Sequence, residues 1–278
     1  MMRRCLLLCG LCLLLGGCSV RLMYHWLDWA IAWKLDDYFQ LNSRQSRIVD
    51  HEVDRFLSWH RQVELPVYAK QLRQLADELK EPLSEARTDY YFGLFEGDLT
   101  RLADGVEPYA NRIAASLQDE QVYRYLGDQR TKQVTRRSDW EKDGGKKLQQ
   151  DFSRKLQKNL RRWIDDIGPA QQPIIAQWAA WQKELYPTWL DYQDVWLASL
   201  EEMLSKRGTP EFSGYLRRLL VKGKFLGNGR FEGYVDSQRQ RTVRSLSQLS
   251  ASLDEGQRQY LRKTLYSLAN DFSALASR

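Results

Sequence analysis

Apolar residues recur along most of this chain at steps of three and four. Leu148, Phe152, Leu156, Leu160, Trp163 and Ile167 step by 4, 4, 4, 3 and 4, which keeps one stripe on a helix. Similar stripes are Val49, Val53 and Leu57; Leu72, Leu75 and Leu79; and Phe92, Phe95, Leu99 and Leu102. Later ones are Ile174, Trp178, Trp181 and Leu185; Trp189, Tyr192, Trp196 and Leu200; Phe212, Leu216 and Leu219; and Leu261, Leu265, Leu268, Phe272 and Leu275. No segment shows a convincing strand pattern. The spacing predicts an all-α fold, a multi-helix bundle or an elongated helical domain. The prolines (Pro66, Pro82, Pro108, Pro169, Pro173, Pro187 and Pro210) fall between stripes or at the start of one, so they read as helix boundaries. Gly144-Gly145 and the run from Gly223 to Gly233 read as breaks, with a subdivision expected near 144–145.

Four expected helix starts share a spacing. Leu41 to Gln45, Leu117 to Gln121, Ile167 to Gln171 and Leu253 to Gln257 all read apolar-x-x-x-Gln. Asn42 and Asp254 suit an N-cap, and a glutamine three residues on can reach back to the cap's own N–H. Leu83-Ser84 opens another helix, with Arg87 in the place of glutamine. The plain reading is a set of capping boxes. The spacing also resembles that of small periplasmic helical chaperones with Leu-Thr-x-x-Gln motifs, although none of the four copies has the threonine.

The beginning of the chain follows a different rule. Arg3-Arg4 precedes an apolar run from Cys5 to Leu15, broken only by Gly10. That is a charged region and an apolar region of signal-peptide length, and it is shorter than the roughly 20 residues a membrane span needs. Leu15-Gly16-Gly17-Cys18 resembles the lipobox of bacterial lipoproteins. The resemblance implies that residues 1–17 are a removed lipoprotein signal and that Cys18 is lipidated. Residues 18–278 then form a helical periplasmic domain. Ser19, in place of an aspartate, implies the outer membrane, at its periplasmic face. The four cysteines are Cys5, Cys9, Cys12 and Cys18, so no disulfide is expected in the remainder.

Just beyond lies a tryptophan-rich segment. On a helix, Trp26, Trp29 and Trp33 share one face, while Tyr24, Leu27, Ile31 and Tyr38 occupy another. Apolar residues on several sides favour burial among other helices over a place at the membrane interface, given the interruption by Asp28, Asp36 and Asp37. The segments 24–45, 59–72, 161–179 and 253–272 together resemble an uncharacterised family of Gram-negative helical lipoproteins. That resemblance implies a helical lipoprotein and supplies no catalytic residue.

Charge narrows the function only slightly. The formal net charge is +6, and without Arg3 and Arg4 there are 40 basic against 36 acidic residues, a net of +4. This balance does not point to nucleic acid. His51 and His60 are nine residues apart and point to opposite sides of a helix. "HEVDR" (51–55) starts like a zinc-protease motif but has Arg55 where the second histidine belongs. Gly227-x-Gly229 follows no strand, and Gly233 stands one residue late for a nucleotide loop. Adjacent carboxylates such as Asp36/Asp37, Asp165/Asp166 and Glu201/Glu202 diverge by about 100° on a helix. Neither a catalytic residue nor a metal or other cofactor is therefore expected. Lys147, Arg154, Lys158 and Arg161 lie within about 60° of one another, opposite the stripe of Phe152 and Leu156, and form a candidate anion-binding ridge.

The expected function is that of a membrane-anchored, non-enzymatic interaction or envelope-maintenance module. Its partner would be an envelope protein, a lipid or a glycan. A holdase-type chaperone and an envelope enzyme acting on peptidoglycan or lipid are the alternatives.

Overall fold

The computed structural model describes residues 20–221, 226–227 and 229–277. Ten helices, and no strand, occur among the described residues. They are α1 (Val20–His25), α2 (Leu27–Phe39), α3 (Ser43–Glu78), α4 (Glu85–Ala115), α5 (Asp119–Asp143), α6 (Lys146–Ile164), α7 (Gln172–Ser205), α8 (Glu211–Leu220), α9 (Glu232–Ser252) and α10 (Glu255–Ala276).

Three prolines do not break the chain as the sequence pattern implied. Pro66, Pro108 and Pro187 lie inside α3, α4 and α7, which run for 36, 31 and 34 residues. All three are exposed, and the carbonyls they leave without an i→i−4 donor belong to Gln62, Asp104 and Lys183. Gln62 and Asp104 are exposed and Lys183 is half-buried. Water can satisfy carbonyls on such a face, so proline there bends a helix without ending it. Stripes read as separate elements are therefore single long helices.

The apolar-x-x-x-Gln copies do more than cap. Gln45, Gln121 and Gln257 complete capping boxes at the starts of α3, α5 and α10. Gln171 Oε1 accepts from the Gly168 N–H at 2.7 Å, one residue ahead of α7. The four glutamines then pair. Gln45 Nε2 donates to Gln121 Oε1 (2.8 Å), and Gln121 Nε2 donates to Gln45 Oε1 (3.0 Å). Gln171 and Gln257 exchange the same two bonds at 3.2 and 3.4 Å. Gln45 also donates to Ser116 O and Gln171 to Ser252 O, each from the Ala-Ser-Leu turn ahead of the partner glutamine. Gln121 donates to Gln40 O, and Gln257 to Asp166 O.

This correspondence extends to whole helices. The unit α2–α3–α4–α5 is matched by α6–α7–α9–α10, with α8 additional. Within one unit α2 packs on α3 and α5; within the other α6 packs on α7 and α10. The long helix α3 packs on α10 of the other unit, and the long helix α7 on α5. Finally α4 packs on α9. Each of these contacts has its counterpart when the units are exchanged, the arrangement expected of a duplicated four-helix unit. Gly144-Gly145, both at positive φ (57° and 76°), is the turn between them. Each unit gives its last helix to the other's long helix, and this produces two principal cores. One gathers Tyr125, Leu126, Trp196, Leu197 and Phe212 beside the Gln45–Gln121 pair. The other gathers Leu65, Ala69, Trp163, Leu265 and Phe272 beside the Gln171–Gln257 pair.

Candidate functional site

The described residues start at Val20, and the predicted lipidation site Cys18 lies outside them. Helix α1 is fixed to the bundle along its length. Val20 is buried in the core formed by α3 and α10, and Arg21 Nε bonds Asp271 Oδ1 at 2.8 Å. Tyr24 Oη lies 2.8 Å from His60 Nδ1 on α3, with the rings stacked 5.9 Å apart. Burial pushes the Tyr24 hydroxyl up to about 12, against the opposing effect of Arg61. Burial, reinforced by Arg61, pushes His60 down to about 4. Both groups are therefore neutral at ordinary pH, and one shared proton joins them.

Helix α2 continues this attachment with one face only. Leu27, Ile31, Ala32 and Leu35 pack on Val49, Val53 and Leu57 of α3. Tyr38 and Phe39 pack on Tyr125, with ring centroids 5.3 and 4.8 Å away. The other face points outward. Trp26, Trp29 and Trp33 are 58%, 61% and 54% exposed, and Leu22 beside them is 62% exposed. The expectation that these tryptophans fill core positions is therefore wrong. A helix at the edge of a bundle has room for one packed face, and Tyr24, Leu27, Ile31 and Tyr38 occupy it. Trp29 and Trp33 instead stack on each other at 6.2 Å. Lys34 Nζ lies 5.4 Å from the Trp33 ring and bonds Asp37 at 2.6 Å.

The basic ridge is the counterpart of this face. Both α2 and α6 end in a residue at positive φ, Gln40 and Asp165. Aligned on these ends, the inner residues Leu27, Ile31, Leu35, Tyr38 and Phe39 match Phe152, Leu156, Leu160, Trp163 and Ile164. The outer residues Leu22, Trp29 and Trp33 match Lys147, Arg154 and Lys158. Lys147, Arg154, Lys158 and Arg161 are all exposed. Arg154 pairs with Asp151, and Arg161 lies 4.0 Å from Asp166. Among the described residues no ion pair joins Lys147 or Lys158 to a carboxylate.

A cluster of buried acids between α3 and α4 was not foreseen. Glu52 lies 2.7 Å from Arg112 and 3.7 Å from Arg55. Glu64, only 1% exposed, lies 3.2 Å from Arg101, which also bonds Asp98 at 2.5 Å. Glu52 and Glu64 interrupt an apolar stripe, which is the signal the sequence carried; their α4 partners Arg112 and Arg101 are 60 and 37 residues away. Guanidinium groups pair with these carboxylates. His51 is exposed and His60 is bonded to Tyr24. Among the described residues no group of three His, Cys, Asp or Glu side chains could hold a metal. Trp178, Trp189 and Trp196 of α7 are buried in the core, and Arg241 lies over the half-buried Trp181. Among the described residues no helix is long and apolar enough to cross a membrane.

No curated protein and no solved structure matches the chain. The model of a family of unknown function, DUF6279, matches residues 37–228. That span runs from the end of α2 to the turn before α9 and so includes both positive-φ helix ends and three of the four glutamines. The chain belongs to this family of unknown function, DUF6279.

Proposed function

We propose that this protein is a lipid-anchored module of the outer membrane's periplasmic face that works by binding through its surface. The observation that supports this is the short distance between anchor and fold. Helix α1 starts two residues after Cys18, and Val20, Arg21 and Tyr24 are already tied to α3 and α10. A lipid on Cys18 would hold the bundle against the membrane, with no linker to let it reach away. Such a body suits holding or organising another envelope component near that surface. The partner class is an envelope protein, a lipid or a glycan, and the ridge of Lys147, Arg154, Lys158 and Arg161 offers a surface for an acidic one.

The test is replacement of Cys18 by alanine in cells, with metabolic labelling by a palmitate analogue. The wild-type chain takes up label and sediments with membranes. The variant carries no label, and it leaves the membrane fraction or stays unprocessed. Unchanged labelling in the variant would remove the lipoprotein reading.

A further inference from the structure

We infer that the outward face of α1 and α2, formed by Leu22, Trp26, Trp29 and Trp33, is a membrane-contact site that seats in the headgroup zone of the bilayer. This rests on the membrane-anchored reading of Cys18 and adds to it a second contact, which sets how the bundle lies.

Four observations carry it. The residues recur at i, i+4, i+7 and i+11 and are all exposed, with Leu22 on α1, Trp26 at the junction of the two helices and Trp29 and Trp33 one turn apart on α2, in one outward strip. The helix cannot turn to bury them, because its other face is packed on α3 and α5 and pinned by the Tyr24–His60 bond. The duplicated unit shows that the fold does not require aromatic residues there. At the matching positions of α6 stand Lys147, Asp151, Arg154 and Lys158, none of them aromatic. The aromatic character of this one face therefore answers to something outside the bundle.

The fourth observation identifies that partner. Cys18 precedes Leu22 by four residues, so it lies within about 14 Å even along an extended chain. A lipid on Cys18 brings a bilayer to the end of this strip. Tryptophan is the side chain suited to that depth, with an apolar ring and an indole N–H that bonds headgroups. The acidic residues nearby do not oppose contact as they did in the sequence pattern. Asp28 points about 130° away from the strip. Asp37 is paired with Lys34, and Asp36 Oδ1 accepts the Leu41 N–H at 2.9 Å.

The experiment uses the protein as cells process it, reconstituted into phosphatidylethanolamine–phosphatidylglycerol vesicles whose acyl chains carry bromine at shallow or deep positions. Bromine quenches tryptophan at contact range, and three of the ten tryptophans belong to this face. Roughly a third of the emission should be lost, more with bromine at carbons 6 and 7 than at 11 and 12, as interfacial residence requires. The variant carrying Trp26→Gln, Trp29→Gln and Trp33→Gln should keep its helical circular dichroism and lose most of the quenching. Should that variant not fold, the depth profile of the wild type decides alone. Absence of quenching in vesicle-bound wild type, or equal quenching in a folded variant, overturns the inference, as does crosslinking of this face to a protein in place of lipid. Mass spectrometry of the same sample reads the lipid on Cys18, so loss of the anchor and loss of the face are seen separately.

Discussion

Replacing Gln121 with alanine tests the pairing that organises each core. The Gln121 side chain accepts from the Gln118 N–H at 2.9 Å and from Gln45 Nε2 at 2.8 Å. It donates to Phe39 O (2.9 Å), Gln40 O (3.1 Å) and Gln45 Oε1 (3.0 Å). A buried hydrogen bond contributes about 1 kcal/mol net, and a buried group left without its partner costs about 1–3 kcal/mol. Some of the loss is recovered, since Phe39 O keeps a bond from Arg124 and Gln40 is exposed to water. The expected loss is therefore about 2–4 kcal/mol, or about 5–15 °C in Tm for a chain of this size. Urea unfolding of the unlipidated chain, followed by circular dichroism, measures it. A double-mutant cycle makes the test specific. Gln45→Ala and Gln121→Ala share partners, so their effects should be coupled by about 0.5–3 kcal/mol. Gln121→Ala and Gln257→Ala lie beside different cores and share no partner, so they should add to within about 0.5 kcal/mol. A cost below about 1 kcal/mol for Gln121→Ala, or simple additivity within the first pair, would refute the reasoning.

Two further outcomes follow from single sites. Gly144 and Gly145 are both at positive φ, but a Cβ on Gly144 meets nothing, while one on Gly145 would sit 2.0 Å from the Trp140 ring. Gly144→Ala should cost about 1–2 kcal/mol from backbone strain alone, and Gly145→Ala about 2–4 kcal/mol because the ring must also move; equal melting temperatures for the two variants would count against this packing. His60 is neutral in the fold down to about pH 4, whereas in the unfolded chain it takes a proton below about 6.5. The unfolded state therefore binds more protons between these values, and stability falls as pH drops through this window, by up to about 1.4 kcal/mol per unit from this residue. His60→Gln should flatten that part of the stability–pH curve relative to wild type, and parallel curves would mean that His60 is not held neutral.

Parts of this structure were legible because the information is local. The stripe of Leu148, Phe152, Leu156 and Leu160 defines α6 by its own spacing, and the capping glutamines sit within one turn of what they cap. The prolines misled because the effect of a proline depends on which side of a helix meets water, and that is a tertiary fact. Gln62 and Asp104 could be placed on the wet side only after α3 and α4 had been placed. The glutamine pairs were hidden for a related reason. Their members are 76 and 86 residues apart, so four copies of one spacing could be counted without showing which pairs with which. The long-range partners of Glu52 and Glu64, Arg112 and Arg101, are likewise supplied by α4.

The tryptophan face is the most informative of these errors. Hydrophobicity identifies residues that gain by leaving water, but it does not say what covers them. A helix with apolar residues on two sides can be a central helix, or an edge helix with a second surface to cover. The duplicated unit decides between these for α2. Its inner positions agree in character with those of α6, as a shared packing role demands: Leu27 with Phe152, Ile31 with Leu156, Leu35 with Leu160. Its outer positions differ, Trp29 against Arg154 and Trp33 against Lys158. Since each pair occupies the same place in the same kind of unit, the needs of the fold cancel in the comparison. What is left is a difference of environment, with α6 turned toward solvent and α2 beside the residue expected to carry the lipid. The same reasoning applies to the long helices. Counted from Gln45 and Gln171, Glu52 of α3 stands where α7 has Trp178. The charge that α3 keeps is matched by Arg112 of α4, so this difference is satisfied inside the bundle, whereas the difference at α2 is open to the outside.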